Sequence, residues 1–137
     1  MIKPTTNINH IHSVLKHDDI WPNIADNEDR GSFTAPIDDN HHYLYDDGIL
    51  FILHRSSSKW QIHANVVKSK RDSAKEAADE ALSYGFNVLD ADVIFCEIPE
   101  KYENVLRFAR KFLNYDYFDN GSHYLSIGRD QWALLGE

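Results

Sequence analysis

Chemically capable side chains concentrate between Trp60 and Phe86. Lys68, Lys70, Arg71 and Lys75 crowd into residues 68–75, where the periodicity of the chain changes. Before them Trp60, Ile62, Ala64 and Val66 alternate with Gln61, His63 and Asn65, the pattern of a half-buried strand. After them Ala74, Ala77, Ala78, Ala81, Leu82 and Phe86 recur at three and four, which is one helix face. Asp72 or Ser73 can cap that helix, with Glu76 three after Ser73 as a capping box requires. A strand that runs through a basic turn into a helix N-terminus offers backbone N–H groups and the positive end of a helix dipole to an anion. His63 lies out of phase with Trp60 and Ile62, and an imidazole exchanges protons near neutral pH. His54, on the preceding strand, can lie beside it. The remaining reactive types are weaker candidates. Cys96, the single cysteine, sits in the apolar run VIFCEI and reads as a buried small residue. His10, His12 and His17 lack a metal-ligand spacing, so no metal is expected.

Charge narrows the function classes. The formal net charge is −8, yet it is unevenly spread. Residues 1–50 hold nine acidic residues against Lys3, Lys16 and Arg30, whereas residues 55–75 hold Arg55, Lys59 and the four turn cations against Asp72 alone. Such a chain is a poor nucleic-acid binder and a better holder of a small phosphorylated ligand at one point. No apolar run reaches the length of a membrane span and residues 1–10 have no signal-peptide character, so an intracellular location is expected.

The elements that must position these residues follow from periodicity. Ile8, Ile11, Val14 and Leu15 predict a helix over 8–16, and a short one is expected over Ile20–Ala25 with Pro22 in its first turn. Residues 27–41 read as a loop. Strands are expected at 41–45, 48–54 and 59–67, the first two joined at Asp46-Asp47-Gly48 and the next at Ser56-Ser57-Ser58. The helix 73–86 should stop near Gly85. A buried strand at 91–98 precedes Pro99, which can open a helix striped by Tyr102, Val105, Leu106, Ala109, Phe112 and Leu113. Strands at 115–118 and 123–127 flank a turn at Asp119-Asn120-Gly121-Ser122. At 137 residues one domain spanning 1–137 is expected.

That order, with a strand, basic turn and helix after a three-strand meander, resembles the GNAT (GCN5-related N-acetyltransferase) fold over nearly the whole chain. The resemblance implies an α+β domain with a mixed, mostly antiparallel twisted sheet of about six to seven strands flanked by about four helices. It implies acetyl-CoA as cofactor. In the family an Arg or Gln, two further residues, a Gly, one residue and a Gly or Ala cradle the cofactor pyrophosphate. Here the run is Arg71-Asp72-Ser73-Ala74-Lys75-Glu76: Arg71 matches, while Ala74 and Glu76 stand at the small positions. The resemblance places Ala64 and Val66 beside the pantetheine arm, with the backbone N–H near Val66 or Val67 able to polarise the thioester carbonyl. It gives Asn104 (or Tyr102, two residues earlier) to the cofactor contact that opens the second long helix. His63 becomes the base for the amine. The family's tyrosine acid, two-thirds along that helix, is missing from ARKFLNY, which leaves Tyr115, Tyr117 or Tyr124 for the departing thiolate. Asp38, Asp39, Asp46 and Asp47 can attract a cationic amine. The segment LSIGRDQWALL resembles the family's C-terminal hairpin and trailing Arg-x-x-Trp.

The chain looks most like the small acetyltransferase-like proteins of tailed bacteriophages. Two readings follow. One is an acetyl-CoA-dependent N-acyltransferase with an unidentified amine acceptor, small molecule or protein, in the host cytoplasm. The other is a GNAT-shaped protein in which cofactor binding and catalysis are lost, serving phage head assembly or the virion through other phage structural proteins. Neither involves nucleic acid or a membrane.

Overall fold

The computed structural model describes residues 1–24 and 28–135. Seven strands form one sheet: β1 (Lys3–Thr5), β2 (His41–Asp46), β3 (Ile49–Ser56), β4 (Lys59–Val66), β5 (Val93–Pro99), β6 (Asn114–Asp119) and β7 (Ser122–Gly128), in the order β1-β2-β3-β4-β5-β7-β6. The helices are α1 (Ile8–Leu15), α2 (Trp21–Ile24), α3 (Ala74–Asn87), α4 (Glu103–Ala109) and α5 (Arg129–Leu135), with a 3-10 helix over Lys68–Ser73. This is the expected α+β architecture, enlarged by β1 and α5, which sequence periodicity did not predict. The β4–β5 ladder is parallel and pairs Trp60 with Ile94 and Gln61 with Phe95; the β1–β2, β2–β3, β5–β7 and β6–β7 ladders are antiparallel. Among the described residues no helix is long and apolar enough to cross a membrane.

The chain packs as two compact units. The first comprises Met1–His54 and His63–Ala81. Its core joins Ile11, Val14 and Leu15 of α1 to Tyr43, Leu50 and Val67. Asn7 starts α1 by accepting the amides of Asn9 and His10 at its side-chain oxygen, 3.0 and 3.3 Å away. The hairpin at Asp47-Gly48 is as tight as its sequence predicts: Asp46 pairs with Ile49, and Gly48 sits at φ +76°. Ala25, Asp26 and Asn27, which the sequence assigns to the end of the short helix and the start of the loop, lie outside the described residues.

The second unit comprises Arg55–Ile62 and Leu82–Glu137. Ile94, Leu125 and Ile127 are fully buried in it, and Trp132 of α5 stacks on Phe86 with centroids 5.0 Å apart. Arg129 ties the start of α5 to Asp90 and to the carbonyl of Ala91, both at 2.7 Å. Asn120 (φ +48°) and Gly121 (φ +80°) make the β6–β7 turn, both left-handed as a two-residue hairpin loop requires.

Three local expectations are corrected. Gly85 lies inside α3, which runs on to Asn87 and is closed by Val88 and Leu89 amides on the Tyr84 carbonyl, ahead of Asp90 at φ +57°. Pro99 ends β5, paired with Ser122, and opens no helix; a turn from Pro99 to Tyr102 intervenes before Glu103. The helix after it is shorter than its stripe, because Phe112 and Leu113 both turn back onto the Ala109 carbonyl to begin β6 at Asn114.

Candidate active site

The alanine stripe of α3 is buried as its spacing demands: Ala74, Ala77, Ala78 and Ala81 are all at most 7% exposed. The start of α3 differs from expectation. Asp72 and Ser73 do not cap it, because the 3-10 helix from Lys68 flows directly into it and Ala74 donates to the Arg71 carbonyl. Backbone groups that a free helix end would leave open are therefore partly engaged. The amide of Val67 donates to the Gly48 carbonyl at 2.9 Å, so it is not available to a thioester oxygen. The amide of Lys68 donates to Oδ2 of Asp19, also at 2.9 Å, which places a carboxylate where a nucleotide phosphate is expected.

The turn is fastened to the β2–β3 hairpin. A Cβ at Gly48 would meet Val67 Cγ2 at 2.7 Å and Lys70 Cγ at 2.8 Å, so only glycine admits this approach. Lys70 Nζ lies 3.6 Å from Asp47. The side chains of Lys68, Arg71, Asp72, Ser73 and Lys75 stay exposed, and Ala74 is buried. What the turn offers an anion is thus three exposed cationic side chains rather than a cradle of amides.

β4 leads into this turn with a change of phase. Trp60 is buried, but further on it is Asn65 that is buried while Ala64 is exposed. Their opposite parity means that burial passes from one face of the strand to the other along β4. Asn65 donates to the Leu50 carbonyl at 3.3 Å. His63 and Asn65, two apart and so on one face of the strand, line a cavity of about 270 Å³ in the first unit. His41 and His54 line the same cavity. They face each other across the β2–β3 ladder and stack with centroids 4.6 Å apart and planes 16° from parallel. His41 Nδ1 is 2.7 Å from Asp38 Oδ1, and this bond, with the Asn40 amide, holds the Asp38 carboxyl below the usual range. Trp21, Phe33 and Tyr43 supply aromatic walls. Tyr43 donates to the Pro36 carbonyl at 2.7 Å, and burial together with the Asp38 charge pushes its hydroxyl up to about 12.

Sequence reasoning singled out His63, His54 and Asp38 but missed His41 and the aromatic walls. The signal for His41 was present: a two-residue turn at Asp47-Gly48 pairs residues symmetrically about it, which sets His41 opposite His54.

The other expected site residues lie in the second unit. Asn104 is exposed in the first turn of α4 and accepts from Arg107 Nη1 at 3.4 Å. Tyr115 opens β6, its hydroxyl 2.8 Å from His123 Nδ1 and its ring under the Arg110 guanidinium at 4.7 Å. Tyr117 and Tyr124 stack on each other at 4.8 Å. Cys96 is buried, and burial pushes its thiol up to about 12, so no thiolate is present near neutral pH. Among the described residues no group of three or more His, Cys, Asp or Glu side chains is placed to hold a metal. His10 instead stacks on Tyr45 at 4.6 Å, His12 Nε2 accepts the Ala35 amide, and His17 Nδ1 accepts the Asp19 amide.

No protein-family model and no curated protein matches the sequence. Comparison of the three-dimensional structure is informative. The spermidine N-acetyltransferase SpeG of Vibrio cholerae, as its F149A mutant, superposes with a TM-score of 0.74 over 100% of this chain and 99% of that one, at 11% identity. The chain has the GNAT fold. A K23-Q34 chimera of the Vibrio cholerae SpeG and hSSAT superposes at 0.73 with 12% identity over 97% of each chain. The Campylobacter jejuni N-acetyltransferase PseH in complex with acetyl coenzyme A superposes at 0.58 with 11% identity, over 67% of this chain and 70% of that one. The GNAT fold, expected from element order, is thereby shown for this chain, with its mixed sheet and flanking helices.

Proposed function

We propose that this chain is an acetyl-CoA-dependent N-acyltransferase, in which the basic turn receives the donor and the histidine-lined cavity receives an amine. One observation carries the reading: a single strand, β4, joins the two places. His63 lines the cavity, and five residues on, about 16 Å along an extended chain, Lys68 begins the cationic turn. A CoA thioester is itself an extended arm with an anionic end and a reactive end. Lys68, Arg71 and Lys75 would hold its phosphates through side chains, Arg71 by its planar fork and the lysines as point charges. When bound, acetyl-CoA supplies the activated acyl group; the chain's own residues orient the amine and take up its proton.

A second reading is favoured by Asp19. Its carboxylate on the Lys68 amide, in a turn that carries no glycine, suits a GNAT-shaped scaffold that has given up the cofactor. In that case the chain serves as an interaction component, for which the sequence resemblance suggests assembly of a phage particle. Titration calorimetry with acetyl-CoA separates the two. Saturable one-to-one heat below about 1 mM, lost in Arg71→Glu and weakened in Lys75→Glu, is the outcome expected of the acyltransferase. No heat from the folded wild-type protein in that range would overturn it in favour of the scaffold.

A further inference from the structure

The histidine cavity of the first unit has a composition that selects its ligand. At about 270 Å³ it lies at the small end of ligand pockets. Its walls include Leu15, Trp21, Phe33, Tyr43 and Ile52, with Phe33 edge-on to Trp21 at 5.4 Å. Among the described lining residues Glu28 is the only carboxylate. One charge and aromatic faces suit a single ammonium on a compact apolar body, held by a carboxylate and ring faces. An extended polycation would need several acidic contacts that this wall does not supply.

The polar side of the cavity is ordered by a carboxylate that belongs to no ligand. Asp38 also accepts the Asn40 amide at 2.9 Å, which fixes it in a local turn before β2. An ionised carboxylate only accepts, so the proton of the 2.7 Å contact sits on His41 Nδ1. Nε2 is then the basic nitrogen of that ring. His54 stacks against the ring from β3, while His63 of β4, Glu28 and Tyr43 complete the titratable groups around the cavity. This is the logic of a base oriented by a third group.

We propose that this cavity binds a primary monoamine on a compact apolar or aromatic body, and that His41, oriented by Asp38, accepts the proton the amine gives up. The step rests on the acyl-transfer reading for its donor. The bound ammonium first releases one proton to solvent; the neutral amine nitrogen then attacks the thioester carbonyl carbon and the C–S bond breaks. The proton leaves nitrogen for His41 Nε2, and the CoA thiolate departs and is protonated from the imidazolium or solvent. An amide and a free thiol result. Asp38 is a positioning residue: it holds the tautomer and does not touch the amine.

The test begins without cofactor, so that its failure is distinct from failure of the donor reading. Histidine-selective nitrogen NMR of the whole chain is recorded with phenethylamine and, separately, with putrescine. Phenethylamine should move the His41 and His54 resonances saturably at millimolar concentration, at least tenfold more tightly than putrescine. No movement, or equal response to the diamine, would overturn the ligand class. In the same spectra Asp38→Asn should convert part of His41 to the other tautomer, whereas Asp38→Glu should keep the original one. With acetyl-CoA present, Asp38→Asn should lower kcat at least tenfold with KM for phenethylamine changed less than twofold, and Asp38→Glu should recover part of the rate. An unchanged tautomer and unchanged kcat in Asp38→Asn would overturn the role of the pair. Thermal denaturation of each variant verifies that it is folded, and His41→Gln gives a second variant with a similar outline should Asp38→Asn fail to fold.

Discussion

Removing the carboxylate of Asp19 should destabilise the chain and at the same time strengthen donor binding. Its Oδ2 accepts the Lys68 amide at 2.9 Å across 49 residues of sequence, and its side chain is 23% exposed. A carboxylate on the first amide of a helical segment behaves as a cap, worth about 0.5–2 kcal/mol. Partial exposure places the loss in Asp19→Ala near the middle, about 1–1.5 kcal/mol. For 137 residues at about 2.1 cal/mol/K each, the unfolding entropy is about 0.29 kcal/mol/K, so Tm should fall by about 3–5 °C. Asp19→Asn keeps an acceptor without the charge and should lose about half as much. Both variants remove a negative charge from the place where the proposed donor's phosphates would approach, and Asp19→Ala also frees an amide for them. Acetyl-CoA affinity should rise about threefold to tenfold. Differential scanning calorimetry and isothermal titration on the same samples give both quantities. An unchanged Tm would mean that water replaces the bond at no cost, and the cap argument fails. A fall in affinity would mean that Asp19 supports the binding form of the turn rather than competing with its ligand.

Two further perturbations probe the frame around the site. Gly48→Ala forces a left-handed backbone on alanine, about 1–2 kcal/mol, and drives a Cβ to 2.7 Å from Val67 Cγ2. A total loss of about 2–4 kcal/mol in urea unfolding is expected, with a loss below about 1 kcal/mol showing that the turn is not fastened there. His12 gives stability a pH dependence. Burial, then the Lys16 charge, lowers its pKa from the ordinary 6.5, so between that value and its folded one the unfolded chain binds more protons. Its contribution is complete above about pH 6.5 and is lost as pH falls through that window. His12→Gln can still accept the Ala35 amide without titrating, and should flatten the difference in urea midpoint between pH 7.5 and 5.5. An equal slope in both proteins would assign the dependence to other groups.

Local sequence carried the elements whose cause is local. The stripe from Ala74 to Phe86 and the Asp47-Gly48 and Asn120-Gly121 turns needed only periodicity and the freedom of residues at positive φ. Where a local signal competed with pairing, pairing won. Pro99 reads as a helix opener, yet it closes β5 because Ser122 is there to pair with it. Gly85 reads as a stop, yet it stays in α3 because the Ala91 amide reaches back to its carbonyl at 3.0 Å. β1 was invisible for the same reason: Lys3–Thr5 has no alternation of its own and is a strand by virtue of Tyr43–Tyr45.

The site divides along the same line. That cations gather before α3 is a property of the sequence. Whether the amides of Val67 and Lys68, at the start of the turn, are open to an anion is decided by Gly48 and Asp19, each distant in the chain from the amide it engages. No spacing rule within residues 68–76 contains those two contacts. The cavity is the opposite case. Its histidines come together through a hairpin whose register the sequence does specify, and His41 was recoverable by counting back from Asp47-Gly48. Asp38, three residues before His41, completes the pair within one turn of chain. The proposed acceptor cavity therefore rests on short-range geometry that the sequence encodes directly. The proposed donor turn is held by two long-range contacts. A substitution at residue 19 or 48 should accordingly alter donor binding while leaving the Asp38–His41 bond intact.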